Sequence, residues 1–174
     1  MRRREVLPRD GIQVFIPPAK LESTTKKSAG MKVLIAEDDR DVRTLLHLVL
    51  RLDGHQVIEA RTAGEVVPRT NEVRPDLIAL DLTFPGANGF STLRDLREND
   101  ETSAVAIIVI SGRAKPEDQI SALEEGGDVY LVKPFDPFTF METVREMVGL
   151  SREELEHRRM KELDRLRQLV RPAG

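Results

Sequence analysis

Five short apolar runs, each followed by a helical pattern, set the architecture from Lys32 onward. KVLIAE (32–37), QVIEA (56–60), DLIAL (76–80), AVAIIVI (104–110) and VYLV (129–132) are the length of strands and rich in branched residues. Helical periodicity returns between them. DRDVRTLLHLVLRLDG places Val42, Leu45, Leu46, Val49 and Leu52 at three- and four-residue steps, with Gly54 as a stop. TAGEVVPRTNEV is a weaker helix that Pro68 is expected to kink or shorten. Asn88 can cap a third helix running through Leu96 and Arg97. KPEDQISALEEGG has a proline near its start and glycines at its end. DPFTFMETVREMVGL offers Asp136 as N-cap and Pro137 in the first turn. Five strands alternating with five helices imply an α/β fold, a parallel sheet with helices on both faces. DLIAL, apolar after Asp76, is the expected central strand.

Composition narrows the class. Aromatic residues are only 4%, so the core has to be built from Val, Ile, Leu and Ala. The chain contains no cysteine, which excludes disulfides and thiolate metal sites. No apolar run reaches about 18 residues, so no membrane span is expected. The basic start MRRREVLPRDG lacks the apolar stretch of a secretory signal, and a cytoplasmic protein is the simplest expectation. Residues 1–31 carry about +4, residues 151–174 about +2, and the middle about −9. An acidic body with basic ends argues against a nucleic-acid partner.

In an open parallel sheet, ligands gather beyond the carboxyl ends of the strands. Here the first strand ends in Glu37-Asp38-Asp39, the third in Asp81, the fourth in Ser111 and the fifth in Lys133. In a 2-1-3-4-5 strand order, Glu37, Asp38, Asp81, Ser111 and Lys133 share one rim. Carboxylates brought this close repel until a proton or a cation relieves them. A site of a few carboxylates completed by water suits Mg²⁺. An adjacent ammonium and hydroxyl can hold phosphoryl oxygens, which makes Asp81 a candidate nucleophile toward phosphorus. The first loop has no glycine-rich phosphate cradle, and EDD there attracts metal rather than bare phosphate.

VLIAEDDRDVR, DLIALDLTFPGANGF, VIS and YLVKPF together resemble the four signature stretches of bacterial response-regulator receiver domains, over about residues 32–149. The resemblance implies a flavodoxin-like fold of order 2-1-3-4-5. Asp81 would accept phosphate from a histidine kinase or phosphotransfer protein, with transfer from small donors and autodephosphorylation as side activities. Asp38 would bind Mg²⁺ directly and Glu37 through a water, and the backbone carbonyl of Thr83 would be a further ligand. Ser111 would bond a phosphoryl oxygen and Lys133 would pair with the phosphate. Tyr130 would be the aromatic switch, its ring turning inward as Ser111 moves toward the phosphate. The Lys133–Pro134 bond is expected to be cis. Signalling would pass through the face of the fourth helix, fifth strand and fifth helix to a downstream protein. Glu37 stands where Asp is also common and Ser111 where Thr is frequent; Gly127 replaces a more typical alanine.

The expected division is a basic arm or linker over 1–30, a receiver domain over 31–149 and a helical extension over 150–174. In the arm, IQVFI could add an edge strand and STTKKSAG reads as linker. In the extension, Ser151 and Glu154 form a capping-box pattern. Leu155, Leu163, Leu166, Leu169 and Val170 make a stripe that Arg158, Arg159 and Glu162 interrupt. That pattern suits a helix packed on the receiver, or a homodimer contact, better than a coiled coil. Two other readings compete with the switch. One is a receiver-like scaffold or dimerisation module that is never phosphorylated. The other is a Mg²⁺-dependent phosphohydrolase of the haloacid-dehalogenase type, which needs a second Asp where Thr83 stands.

Overall fold

The computed structural model describes residues 30–84 and 88–170. The expected IQVFI strand and the linker after it lie outside the described residues, as does the Pro85–Ala87 part of the turn after Asp81. The chain alternates β1 (Lys32–Ala36), α1 (Arg40–Leu52), β2 (Gln56–Ala60), α2 (Ala63–Val73), β3 (Leu77–Asp81), α3 (Gly89–Glu98), β4 (Ala106–Ser111), α4 (Pro116–Glu124), β5 (Val129–Val132) and α5 (Pro137–Met147), then adds α6 (Arg152–Val170). The strands form one parallel sheet in the order β2-β1-β3-β4-β5. All of β3 and β4 is buried, as expected of strands covered on both faces.

The sheet divides the core in two. On one side Val33, Ile35, Leu77 and Ile108 pack with Leu46 and Leu50 of α1 and with Phe140 and Val144 of α5. On the other, Leu34, Ile78, Leu80, Ile107 and Val109 pack with Val66 of α2, Leu93 and Leu96 of α3, and Ala122 of α4. Strand alternation sends neighbouring side chains to opposite faces, which is why consecutive residues of β1 and β3 fall in different clusters. Among the described residues, no helix is long and apolar enough to cross a membrane.

Several local expectations shift. Of the expected face of α1, Leu46 is buried and Val42 and Val49 pack against the core, but Leu45 is 40% exposed and Leu52 79% exposed, and Leu50 is buried instead. Pro68 does not shorten α2, which runs through it to Val73. The fourth strand begins at Ala106 rather than Ala104, because Arg97 Nη1 takes the carbonyls of Ser103 and Val105 at 2.9 and 2.7 Å. The capping box forms as read: Ser151 N–H donates to Glu154 Oε2 at 2.7 Å, and Glu154 N–H to Ser151 Oγ at 3.2 Å.

α6 packs along α4 of its own chain. Leu163 and Leu166 close a small cluster with Leu123, Ile120 and Tyr130, and Leu155 joins the α5 side of the main core. Leu169, expected in the same stripe, is exposed. Gly127 also finds its reason: a Cβ there would sit 2.6 Å from Val109 Cγ2 and 3.1 Å from the Ala122 carbonyl oxygen. The turn between α4 and β5 has no room for alanine.

Candidate functional site

The register of the parallel sheet carries Asp81 of β3, Glu37 after β1, Ser111 of β4 and Lys133 after β5 to the same end of the molecule. Asp81 is 1% exposed, yet each of its oxygens is engaged. Oδ1 accepts from the Thr83 backbone N–H at 2.7 Å and from Thr83 Oγ at 2.6 Å. Oδ2 lies 2.5 Å from Lys133 Nζ, which also lies 2.8 Å from Glu37 Oε2. One ammonium thus bridges two buried carboxylates.

That arrangement splits the two acids electrostatically. Burial pushes Glu37 up to about 7, reinforced by the Asp81 charge and only partly opposed by Lys133. Burial would raise Asp81 as well, but the hydrogen bonds from Lys133 and Thr83 outweigh it and hold Asp81 below the usual carboxylate range. Lys133 is itself half-buried, and its contacts with both acids more than offset desolvation and raise its pKa. Asp81 is therefore the acid that stays ionised at neutral pH, as a nucleophile requires.

Glu37, Asp38 and Asp81 offer carboxylate oxygens that all lie within 4.8 Å of one another. Two are buried and Asp38 is exposed, so the cluster is reached from solvent on the Asp38 side. An all-oxygen set with one open side fits Mg²⁺, which keeps several waters in its shell. Asp39, the third acid of the run, is committed elsewhere: its Oδ1 caps α1 by accepting from the Asp41 and Val42 N–H groups at 2.8 and 3.0 Å. Arg43, one turn into α1, donates to the carbonyls of Glu37 and Asp38 at 2.9 and 3.0 Å and fixes the acidic loop. Sequence reasoning missed Arg43; its only signal was a cation six residues after Glu37, facing back along the helix.

Ser111 is fully buried, and its Oγ accepts from the Arg113 N–H at 3.2 Å. The Tyr130 hydroxyl donates to the Arg113 carbonyl at 2.8 Å. Arg113 therefore links the two residues of the expected switch through its backbone, while its side chain pairs with Asp118 and lies over the Phe90 ring. The Lys133–Pro134 peptide is cis. Gly89 opens α3 where a Cβ would stand 2.4 Å from the Leu82 Cα, so the helix leaves directly against the strand that carries Asp81.

Residues 33–145 match the response regulator receiver domain. The chain belongs to this family. Receiver domains are signalling phosphoacceptors that bind Mg²⁺ in an acidic pocket, and the acidic cluster here is Glu37, Asp38 and Asp81. Among relatives of this receiver domain, the phosphate regulon transcriptional regulatory protein PhoB of Escherichia coli K12 is 32% identical over 74% of the chain, which spans 63% of PhoB. Protein PilH of Pseudomonas aeruginosa is 31% identical over 68% of the chain and is itself covered over 98% of its length. The receiver domain of sensor histidine kinase PA1611 from Pseudomonas aeruginosa, solved with a magnesium ion in its active-site cleft, superposes with a TM-score of 0.64. It is 27% identical and covers 70% of this chain and 100% of its own.

Proposed function

We propose that this receiver is a Mg²⁺-dependent phosphoacceptor that works as a single-domain regulator, with Asp81 modified by a partner histidine kinase or phosphotransfer protein. The observation that carries the reading is Asp81 itself: buried, held ionised, and locked in orientation by Thr83 and Lys133 beside two further acids. The near-complete coverage of PilH supports the single-domain role.

The step is a displacement at phosphorus. A carboxylate oxygen of Asp81 attacks, the bond to the donor nitrogen or oxygen breaks, and its electron pair leaves with the donor. Asp38, Asp81 and the Thr83 carbonyl, with Glu37 beside them, would hold Mg²⁺, which would supply charge neutralisation at the phosphoryl oxygens. Lys133 already stands against Asp81 Oδ2 and turns from that oxygen to the incoming phosphoryl group. Ser111 supplies the hydroxyl that bonds a second phosphoryl oxygen. Modification adds about −1.5 to −2 charges, and the conformation in which Ser111 and Lys133 close on them gains population. The change is read on the α4–β5–α5 face by a downstream protein.

Incubation of the purified chain with Mg²⁺ and a small phosphodonor tests the reading. One phosphate per chain, labile to alkali and to hydroxylamine, is expected, its incorporation lost on chelation of Mg²⁺ and absent from Asp81→Asn. Labelling that persists in Asp81→Asn overturns the site. A chain that takes no label from the donor and none from any kinase tried is a scaffold.

A further inference from the structure

The α4–β5–α5 face already has an occupant. Leu163 and Leu166 of α6 are 3% and 1% exposed and lie on Leu123, Ile120 and Tyr130. Charged contacts fix the helix at both ends. Arg152 Nη1 stands 2.9 Å from the buried Asp128, Arg158 pairs with Glu146 of α5, and Arg167 Nη2 reaches Glu124 of α4 at 2.8 Å. α6 therefore touches α4, α5 and the strand between them.

The same helix is in line with the site. Tyr130 packs against the sheet-side cluster of Leu80 and Val109 and also against the α6 cluster. Its hydroxyl is bonded to the Arg113 carbonyl, and the Arg113 N–H is bonded to Ser111 Oγ. Three contacts in series join Ser111 to Leu163 and Leu166. Close-packed contacts are bistable rather than elastic, so a displacement of the Ser111–Arg113 segment is felt where α6 rests on Tyr130 and α4.

α6 itself is poorly suited to stand alone. Its surface is mostly charged, and beyond Leu155 only Leu163 and Leu166 are buried. Beyond Leu155 the helix is held by two leucines and part-exposed ion pairs, and that portion is released at small cost when the packing changes.

We infer that α6 is an intramolecular plug on the output face, and that phosphorylation of Asp81 weakens its hold. The inference rests on the phosphoacceptor reading of Asp81. A downstream protein that reads α4 and β5 has to take the place of Leu163 and Leu166, so release of α6 and exposure of the signalling surface are one event. Coupling of this kind is reciprocal: loosening α6 favours the phosphorylated state by the same factor as phosphorylation loosens α6.

Hydrogen exchange on the full chain tests it. Amides of residues 156–170 are followed with Mg²⁺ alone and with Mg²⁺ plus beryllofluoride, while beryllofluoride binding is measured separately on the wild type and on Asp81→Asn. The expected result is exchange about tenfold faster across 156–170 in the beryllofluoride state, with no change in Asp81→Asn. Beryllofluoride binding with unchanged or slower exchange of α6 overturns the plug and leaves the phosphoacceptor reading standing. Absence of Asp81-dependent binding overturns the phosphoacceptor reading and the plug with it. A second measurement uses the full-length Leu163→Ala/Leu166→Ala chain, whose apparent beryllofluoride affinity is expected to rise several-fold by linkage. An unchanged affinity in the folded variant overturns the coupling.

Discussion

Lys133 Nζ sits between Asp81 Oδ2 and Glu37 Oε2, at 2.5 and 2.8 Å, and is a cation that lets two buried carboxylates share one rim. Its removal is expected to matter twice. Lys133→Met leaves the acids unpaired and lowers the stability of the metal-free chain at pH 8 by about 3 kcal/mol. The loss shrinks at pH 5, where Glu37 is protonated. Denaturant titration at the two pH values measures it. The phosphorylation rate from a small donor is expected to fall at least about tenfold in the same variant, because the cation proposed to face the phosphoryl group is gone.

Thr83 Oγ donates to Asp81 Oδ1, and the hydroxyl has no counterpart in alanine. Thr83→Ala is expected to cost about 1.5 kcal/mol at pH 7, the worth of a hydrogen bond to a charged acceptor. Thr83→Ser, which keeps the donor, is expected to recover most of it. Urea unfolding of the three proteins in chelator checks the order.

The Gly127 contact predicts a rescue. Gly127→Ala drives a methyl into Val109 Cγ2 and is expected to destabilise the chain by about 1–3 kcal/mol. Val109→Ala frees that space, so the double variant is less destabilised than the sum of the singles. A thermal-denaturation cycle of the four proteins measures the coupling; additive losses contradict the packing account.

Asp53, after α1, accepts from Arg145 of α5 at 2.5 and 3.2 Å, and these hydrogen bonds hold its carboxyl below the ordinary value. A carboxylate whose folded pKa is depressed adds stability above its unfolded value near 3.8, and that stability is lost as pH falls through the folded value. Arg145→Ala is expected to cost under about 1 kcal/mol at pH 7, since the guanidinium is largely exposed. The difference from wild type vanishes at the acid end of a pH series of denaturation curves.

Asp128 is buried between two guanidinia. Its Oδ2 accepts from the Ile107 N–H and from Arg97 Nη2, both at 2.9 Å, and Arg152 approaches Oδ1. Burial lowers Arg97 to about 10 even with this partner. Asp128→Ala leaves Arg97 buried and uncompensated, and a loss of about 3–5 kcal/mol is expected in chemical denaturation.

The strands were legible because buried parallel strands are near-continuous apolar runs, and β3 and β4 are buried at every position and apolar up to Asp81 and Ser111. The acids and Lys133 were legible because each stands where an apolar run stops, so topology alone brings them together. What a local pattern does not contain is the neighbour. The α1 stripe held at Val42, Leu46 and Val49 but missed Leu50, because Leu50 and Leu52 are equally apolar and only the sheet beneath decides which one is covered. Arg43, Arg97 and Arg152 look like ordinary surface charges until the fold supplies the carbonyls and the Asp128 carboxylate that they hold. Gly127 had no reading until Val109 was beside it.

Asp81 ends a strand hydrogen-bonded on both sides, to β1 and to β4, and enclosed above and below by the two halves of the core. Such a mounting has no slack. On the proposed reading, charge and bulk arriving on this carboxylate would meet a strand enclosed on every side, and the disturbance would pass to the segment around Arg113 and the helix lying beyond it. In that proposal the rigidity of the centre is what would make the periphery the messenger.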